Sequence, residues 1–166
     1  SGNFCRMAAD AYSVLGIEGG GTNTTGVVLV FRNGVEVADE RVRVAAGAGN
    51  TALLNDDEIR ALLARLARDV AAASAPPLRA VGYYSSGSVD EAERVRQRAA
   101  IRDTFPHVGV IKVGMDDESA YAAAFGVSSA ADGAVSAFSV DGVLVIAGTG
   151  SVVVAARGGG TLEGGG

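Results

Sequence analysis

The chain runs to 166 residues, 48% of them hydrophobic, with 24 glycines, a single cysteine and a net charge of −5. That length and apolar content support a packed core and not a disordered polymer. The acidic balance excludes the basic footprint of a nucleic-acid binder, no apolar run reaches the ~18 residues of a bilayer span, and a lone Cys5 cannot staple the fold, which fits a reducing, cytoplasmic setting.

Residues 1–12 lack the apolar stretch of a secretion signal and read as an N-terminal extension without chemistry. Short apolar runs predict strands over 14–18 and 25–31. Asn33-Gly34 marks a tight hairpin, and Val35, Val37, Val42 and Val44, spaced among charges, predict a third strand over 35–44. Ile59, Leu62, Leu63, Leu66 and Val70 then recur at helical spacing. Asn55 or Asp56 can cap that helix, acids at 56–58 suit its N-terminal dipole, and Pro76-Pro77 ends it.

A strand over 79–85 is followed by a helix to about Asp103, with Ser88 and Glu91 as its capping box. A strand over 108–113 leads to a small-residue helix that opens at Asp116 or Asp117 and can close at Gly126. Strands over 135–140, 142–147 and 152–157 follow, and 158–166 reads as a flexible glycine tail or the cut edge of a larger fold. Three antiparallel strands followed by β-α-β units imply an α/β fold. The expectation is a mixed five-stranded sheet with flanking helices over 13–130, and the first strands of a second, incomplete domain over 135–166.

Two glycine-rich turns carry the chemistry. One is Gly16-Ile17-Glu18-Gly19-Gly20-Gly21-Thr22-Asn23-Thr24-Thr25; the other is Ala147-Gly148-Thr149-Gly150-Ser151. Each lies between β-rich runs. Glycines admit close backbone approach, and successive N–H groups form an anion-binding concavity. Hydroxyls of Thr22, Thr24, Thr149 and Ser151 add donors. Together the turns suggest a clamp on a polyphosphate. Lys112 is the sole lysine and no G-x-x-x-x-G-K-[ST] pattern surrounds it, which excludes a P-loop. The first turn enters a β-run where a dinucleotide fingerprint would open a helix.

Other residues have two readings each. Glu18 ends a strand beside the phosphate-type turn, where it could hold Mg²⁺ through water or simply cap the turn. Asp116 follows a strand, where it could take a proton from a substrate hydroxyl or cap the next helix. Asp117 can serve either purpose as well. Asn50 in its glycine loop, and Ser85 and Ser86 after their strand, are hydroxyl-binding or turn-forming residues. His107 reads as a surface histidine, and the arginines at 94, 96, 98 and 102 as a solvated helix face.

The ensemble of Gly16–Thr22, Gly49-Asn50, Ser85-Ser86-Gly87, Gly114-Met115-Asp116 and Ile146–Ser151 resembles the actin-like sugar kinase and ATPase superfamily. It is most similar to the N-acetylglucosamine kinase family, with the BadF/BadG/BcrA/BcrD ATPases as close relatives. The resemblance implies an actin-like ATPase (ribonuclease H-like) domain that uses ATP and Mg²⁺. It implies phosphoryl transfer to an amino sugar or, alternatively, hydrolysis coupled to activation of a redox partner. Gly19, Gly20, Gly21, Thr22 and Asn23, with Gly148, Thr149 and Gly150, would meet the nucleotide phosphates. Glu18 would hold the metal. Asn50, Ser86, Asp116 and Ser151 would meet the sugar, with Asp116 as base. Asn23 stands where that family commonly has a basic residue, and the family continues beyond the last glycine-rich turn, so a fragment is expected. Partners would be small molecules, not nucleic acid or membrane, and a homodimer is compatible with the pattern.

Overall fold

Small and aliphatic residues alternate along Ala11–Gly19, which forms β1 with Ser13, Leu15, Ile17 and Gly19 buried on one face. The computed structural model describes residues 11–125, 128–129, 135–136, 141–147, 151–157 and 160–165. The chain divides into two compact units, one running to Val113 and the other from Gly114.

In the first unit, β1 turns back through residues 20–23 into β2 (Thr24–Arg32), antiparallel from Gly19↔Thr24 to Ala11↔Arg32. Asn33 and Gly34 both take positive φ, 53° and 78°, as a two-residue hairpin turn demands. The strand expected over 35–44 is broken in two. β3 (Val35–Glu36) and β4 (Val42–Ala46) both pair with β2, and a 3₁₀ turn over Ala38–Glu40 separates them. Beside the break Arg32 pairs with Glu40, and Arg41 with Glu36, on the exposed edge.

A second 3₁₀ turn, Thr51–Leu53, precedes helix α1 (Asp56–Ala72). Asn55 and Glu58 form a reciprocal capping box at its start, with Glu58 N donating to Asn55 Oδ1 at 3.0 Å and Asn55 N to Glu58 Oε2 at 2.8 Å. Asn55→Ala is expected to lower stability by about 1 kcal/mol, read from the urea midpoint. The helix stops before Pro76-Pro77, where Ser74 takes positive φ. β5 (Leu78–Ser85) lies parallel to β1, with Gly19 opposite Ser85.

Helix α2 (Glu91–Thr104) is capped by Asp90, whose Oδ1 accepts from Glu93 N at 2.8 Å. This corrects the expected Ser88–Glu91 box: the Ser88 hydroxyl is buried and turned to Gln97. β6 (Val110–Gly114) completes a six-stranded sheet in five rows, β3 and β4 sharing the edge beside β2 in the order β2-β1-β5-β6. Leu15, Ile17, Val28, Val81, Ile59, Leu63, Leu66 and Ile101 make the core between sheet and helices.

The second unit opens with α3 (Asp116–Phe125). Short pairs β7 (Ser128–Ser129) and β8 (Val135–Ser136) follow. Of the strand expected over 135–140, residues 137–140 lie outside the described residues, as does Gly126. β9 (Gly142–Ala147), β10 (Ser151–Arg157) and β11 (Gly160–Gly165) form an antiparallel sheet with β10 in the middle. In its described part, the stretch read as a flexible tail or the cut edge of a larger fold is a strand. A backbone ladder needs no side chains, and Gly160 to Gly165 pair from Arg157 back to Val152. Tyr121 is fully buried against Leu144, Val154 and Ala156. Among the described residues, no helix is long and apolar enough to cross a membrane.

Candidate functional site

Parallel pairing sets the carboxyl ends of β1 and β5 side by side, the edge at which open α/β sheets bind ligands. Three loops meet there. The turn over residues 20–23 leaves β1 and closes with Gly20 N donating to Asn23 O at 2.9 Å. Among the described residues no backbone carbonyl accepts from the N–H groups of Gly21, Thr22 or Asn23, so these remain for an anion. Asn23 Nδ2 donates to Thr22 Oγ1 at 3.3 Å, which fixes both polar side chains of the turn.

The second loop carries Asn50. The carbonyl of Gly20 accepts from Gly49 N at 2.8 Å and from Asn50 N at 3.0 Å. Thr24 Oγ1 donates to Gly47 O at 2.8 Å. Thr24, expected among the ligand donors, is thus a buried tie between the two loops. Glycine is required at 49: a Cβ would stand 2.1 Å from Thr24 Oγ1 and 3.0 Å from Gly19 Cα. Asn50 caps the following 3₁₀ turn, its Oδ1 accepting from Ala52 N at 3.1 Å, and among the described residues its amide nitrogen donates no hydrogen bond.

The third loop follows β5. Ser85, read as a candidate substrate contact, is buried and donates to Gly49 O at 3.2 Å, while accepting from Gly87 N at 3.1 Å. Its neighbour Ser86 is half-buried beside it. Gly87 sits so close to the second loop that a Cβ would lie 2.5 Å from Asn50 Oδ1. The structure therefore gathers Gly19 to Asn23, Asn50 and Ser86 at one end of the sheet.

Sequence reasoning missed the residues behind these loops. Tyr83 OH donates to Gly49 O at 2.7 Å. Gln97 Nε2 donates to Thr51 Oγ1, and Gln97 Oε1 accepts from Ser88 Oγ at 2.8 Å. Gln97, Ala100 and Ile101 form the buried stripe of α2, and that i, i+3, i+4 spacing was the available signal. The expected solvated arginine face is partly structural. Arg96 donates to Leu54 O and pairs with Glu93 at 2.9 Å, because its guanidinium closes the end of the 3₁₀ turn.

Burial, with the Glu93 carboxylate adding to it, holds the Tyr83 phenol above its ordinary range. The folded protein then keeps a proton that an unfolded tyrosine gives up near pH ~10. Stability from this group is full below that pH and declines as pH rises through it. Urea unfolding followed from about pH 9 to about pH 11 is expected to show a steeper loss in wild type than in Tyr83→Phe.

Glu18 is exposed at the carboxyl end of β1, on the sheet face opposite Ile17. Magnesium takes one or two carboxylates together with water and phosphate oxygens. A single free carboxylate beside a phosphate-type turn fits that donor set; among the described residues no three acids, histidines or cysteines form a protein-only cage.

Asp116 belongs to the second unit, at the first turn of α3. Neither it nor Asp117 is the cap: Glu118 Oε1 reaches back to accept from Met115 N at 3.2 Å. Asp116 Oδ1 accepts from Asp117 N at 3.1 Å, and among the described residues its Oδ2 accepts no hydrogen bond. Asp117 is 4% exposed, against a half-buried Asp116, so the two acids differ in access. Ser151 opens β10, opposite Ala147. Gly148, Thr149 and Gly150 lie outside the described residues.

A roomier cleft of about 480 Å³ lies at the opposite end of the sheet, lined by residues such as Pro76, Pro77, Phe105 and His107. It holds no carboxylate, and its hydroxyls at Ser13 and Thr104 are spent on Pro76 O and Ala100 O.

No protein-family model and no curated protein matches the sequence. Solved structures do match. A candidate N-acetylglucosamine kinase from Porphyromonas gingivalis is similar at 23% identity with a TM-score of 0.66, over 90% of this chain and 46% of that one. The ethanolamine utilization protein EutJ from Carboxydothermus hydrogenoformans is similar at 15% identity with a TM-score of 0.54, over 91% of this chain and 51% of that one. The chain thus spans about half the length of the structures it matches. These likenesses are of fold, and the fold is that of the actin-like ATPases.

Proposed function

We propose that the intact protein is an ATP-dependent sugar kinase that moves the γ-phosphoryl group of ATP to a hydroxyl of an amino sugar, with the 6-hydroxyl of N-acetylglucosamine as acceptor. One observation carries this reading. The Gly20 carbonyl holds the Gly49 and Asn50 amides, so an anion-binding turn and a side-chain amide suited to hydroxyls are bound into one edge. The likeness in fold to the Porphyromonas gingivalis protein supports the same choice.

In this mechanism the N–H groups of Gly21, Thr22 and Asn23 receive phosphate oxygens, and Asn50 Nδ2 orients a sugar hydroxyl. Gly148, Thr149 and Gly150 form the second phosphate contact, and Ser86 and Ser151 further sugar contacts. Glu18 would hold the Mg²⁺ of the nucleotide, which when bound would supply charge neutralisation at the phosphates. Asp116 accepts the hydroxyl proton while the sugar oxygen bonds to phosphorus and the bond to the ADP oxygen breaks.

ADP release from Mg-ATP, measured on the intact protein against N-acetylglucosamine, glucosamine, N-acetylmannosamine, glucose and no sugar, tests the reading. Release that requires an amino sugar is the expected result. Equal release without sugar would overturn it in favour of an ATPase of the BadF/BadG kind.

A further inference from the structure

Resting on the kinase reading, we propose that Tyr83, Thr51 and Gln97 are positioning residues for the acceptor sugar, setting its affinity through the backbone around Asn50 without touching sugar or nucleotide. A carbonyl has two lone pairs, and both of those on Gly49 are engaged, by Tyr83 OH and by Ser85 Oγ. One residue beyond Asn50, the Thr51 hydroxyl receives the Gln97 amide, which is itself fixed by Ser88. Asn50 is therefore gripped on both sides. All five of these supporting side chains are 0–1% exposed.

The direction of the effect follows from where the bonds land. Tyr83, Ser85 and Gln97 reach Gly49 and Thr51, the neighbours of Asn50. None hydrogen-bonds to residues 20–23, whose turn is closed by its own Gly20–Asn23 bond and joined to the Asn50 loop through the Gly20 carbonyl; Tyr83 OH does lie close to Gly19, where a Cβ would stand 2.7 Å from it. Loss of one grip loosens the Asn50 side of that joint first, while the Gly20–Asn23 bond that closes the turn is not itself removed. A buried network of this kind also loses more than the deleted bond, because its remaining members go unsatisfied.

Steady-state kinetics of the intact protein with N-acetylglucosamine and Mg-ATP test this. Thr51→Val and Tyr83→Phe are each expected to raise KM for the sugar about tenfold, with kcat and KM for ATP held within about twofold. Thr51→Ser, which keeps the hydroxyl, is expected to return KM to within about twofold of wild type. Thermal unfolding establishes that each variant is folded at the assay temperature, and Tyr83→Phe carries the test if Thr51→Val is not. An unchanged sugar KM in a folded variant overturns the proposal, as does an equal rise in KM for ATP. A wild type without sugar-dependent transfer removes the kinase reading itself, and that is known before any variant is assayed.

Discussion

Asp116→Asn is expected to lower kcat for sugar-dependent ADP release by about 10²–10⁴-fold, the range of a lost general base. The amide keeps the shape and the Asp117 N–H contact at Oδ1, so the fold and the binding of sugar are expected to hold. It cannot take a proton at the position where the carboxylate offers Oδ2. Calorimetric binding of sugar beside the kinetic assay separates the two: retained binding with lost turnover assigns the proton to Asp116. Asp117→Asn provides the contrast. That side chain is 4% exposed, and its loss is expected to appear in the unfolding midpoint more than in kcat. If Asp116→Asn keeps full turnover, Asp116 is not the base.

Gly49→Ala is expected to damage both stability and acceptor binding. The added Cβ would meet Thr24 Oγ1 at 2.1 Å and Gly19 Cα at 3.0 Å. Neither neighbour can yield: Thr24 is held on Gly47 O, and Gly19 is backbone at the end of the central strand. Overpacking of this kind costs about 1–3 kcal/mol, visible as a lower urea midpoint, and it pushes the Asn50 loop away from the phosphate turn. Gly47→Ala in the same loop is the control. A Cβ there meets nothing within 4 Å, so stability is expected to change by less than about 0.5 kcal/mol. Equal damage from both would mean that the loop is sensitive to any side chain, and that close packing at Gly49 is not the cause.

Much of the frame could be read along the chain. The apolar repeat from Ile59 to Val70 marks α1, Asn55 caps it, and Pro76-Pro77 stands beyond its end, because all three signals act within one or two turns of helix. Asn33-Gly34 makes the hairpin because few residues tolerate positive φ at two successive positions. Where reading along the chain failed, competing groups were close in sequence or the partner was far away. Ser88 and Asp90 both offered a cap to α2, and only the buried Gln97 decided between them. The edge strand is interrupted by a 3₁₀ turn over Ala38–Glu40 that alternation does not reveal.

Most of the α/β element order, the glycine turn between β1 and β2, and the candidate residues Glu18, Asn50 and Asp116 are legible along the chain. These rest on local propensity and on chemistry carried by single residues. Which polar residues hold the loops together emerges only on folding. Thr24, Thr51, Ser85 and Gln97 are ordinary polar residues in the chain, and their hydrogen bonds span 23 to 46 positions. Burial obliges each such group to find a partner, and the sheet's parallel pairing of β1 with β5 sets which partners are within reach.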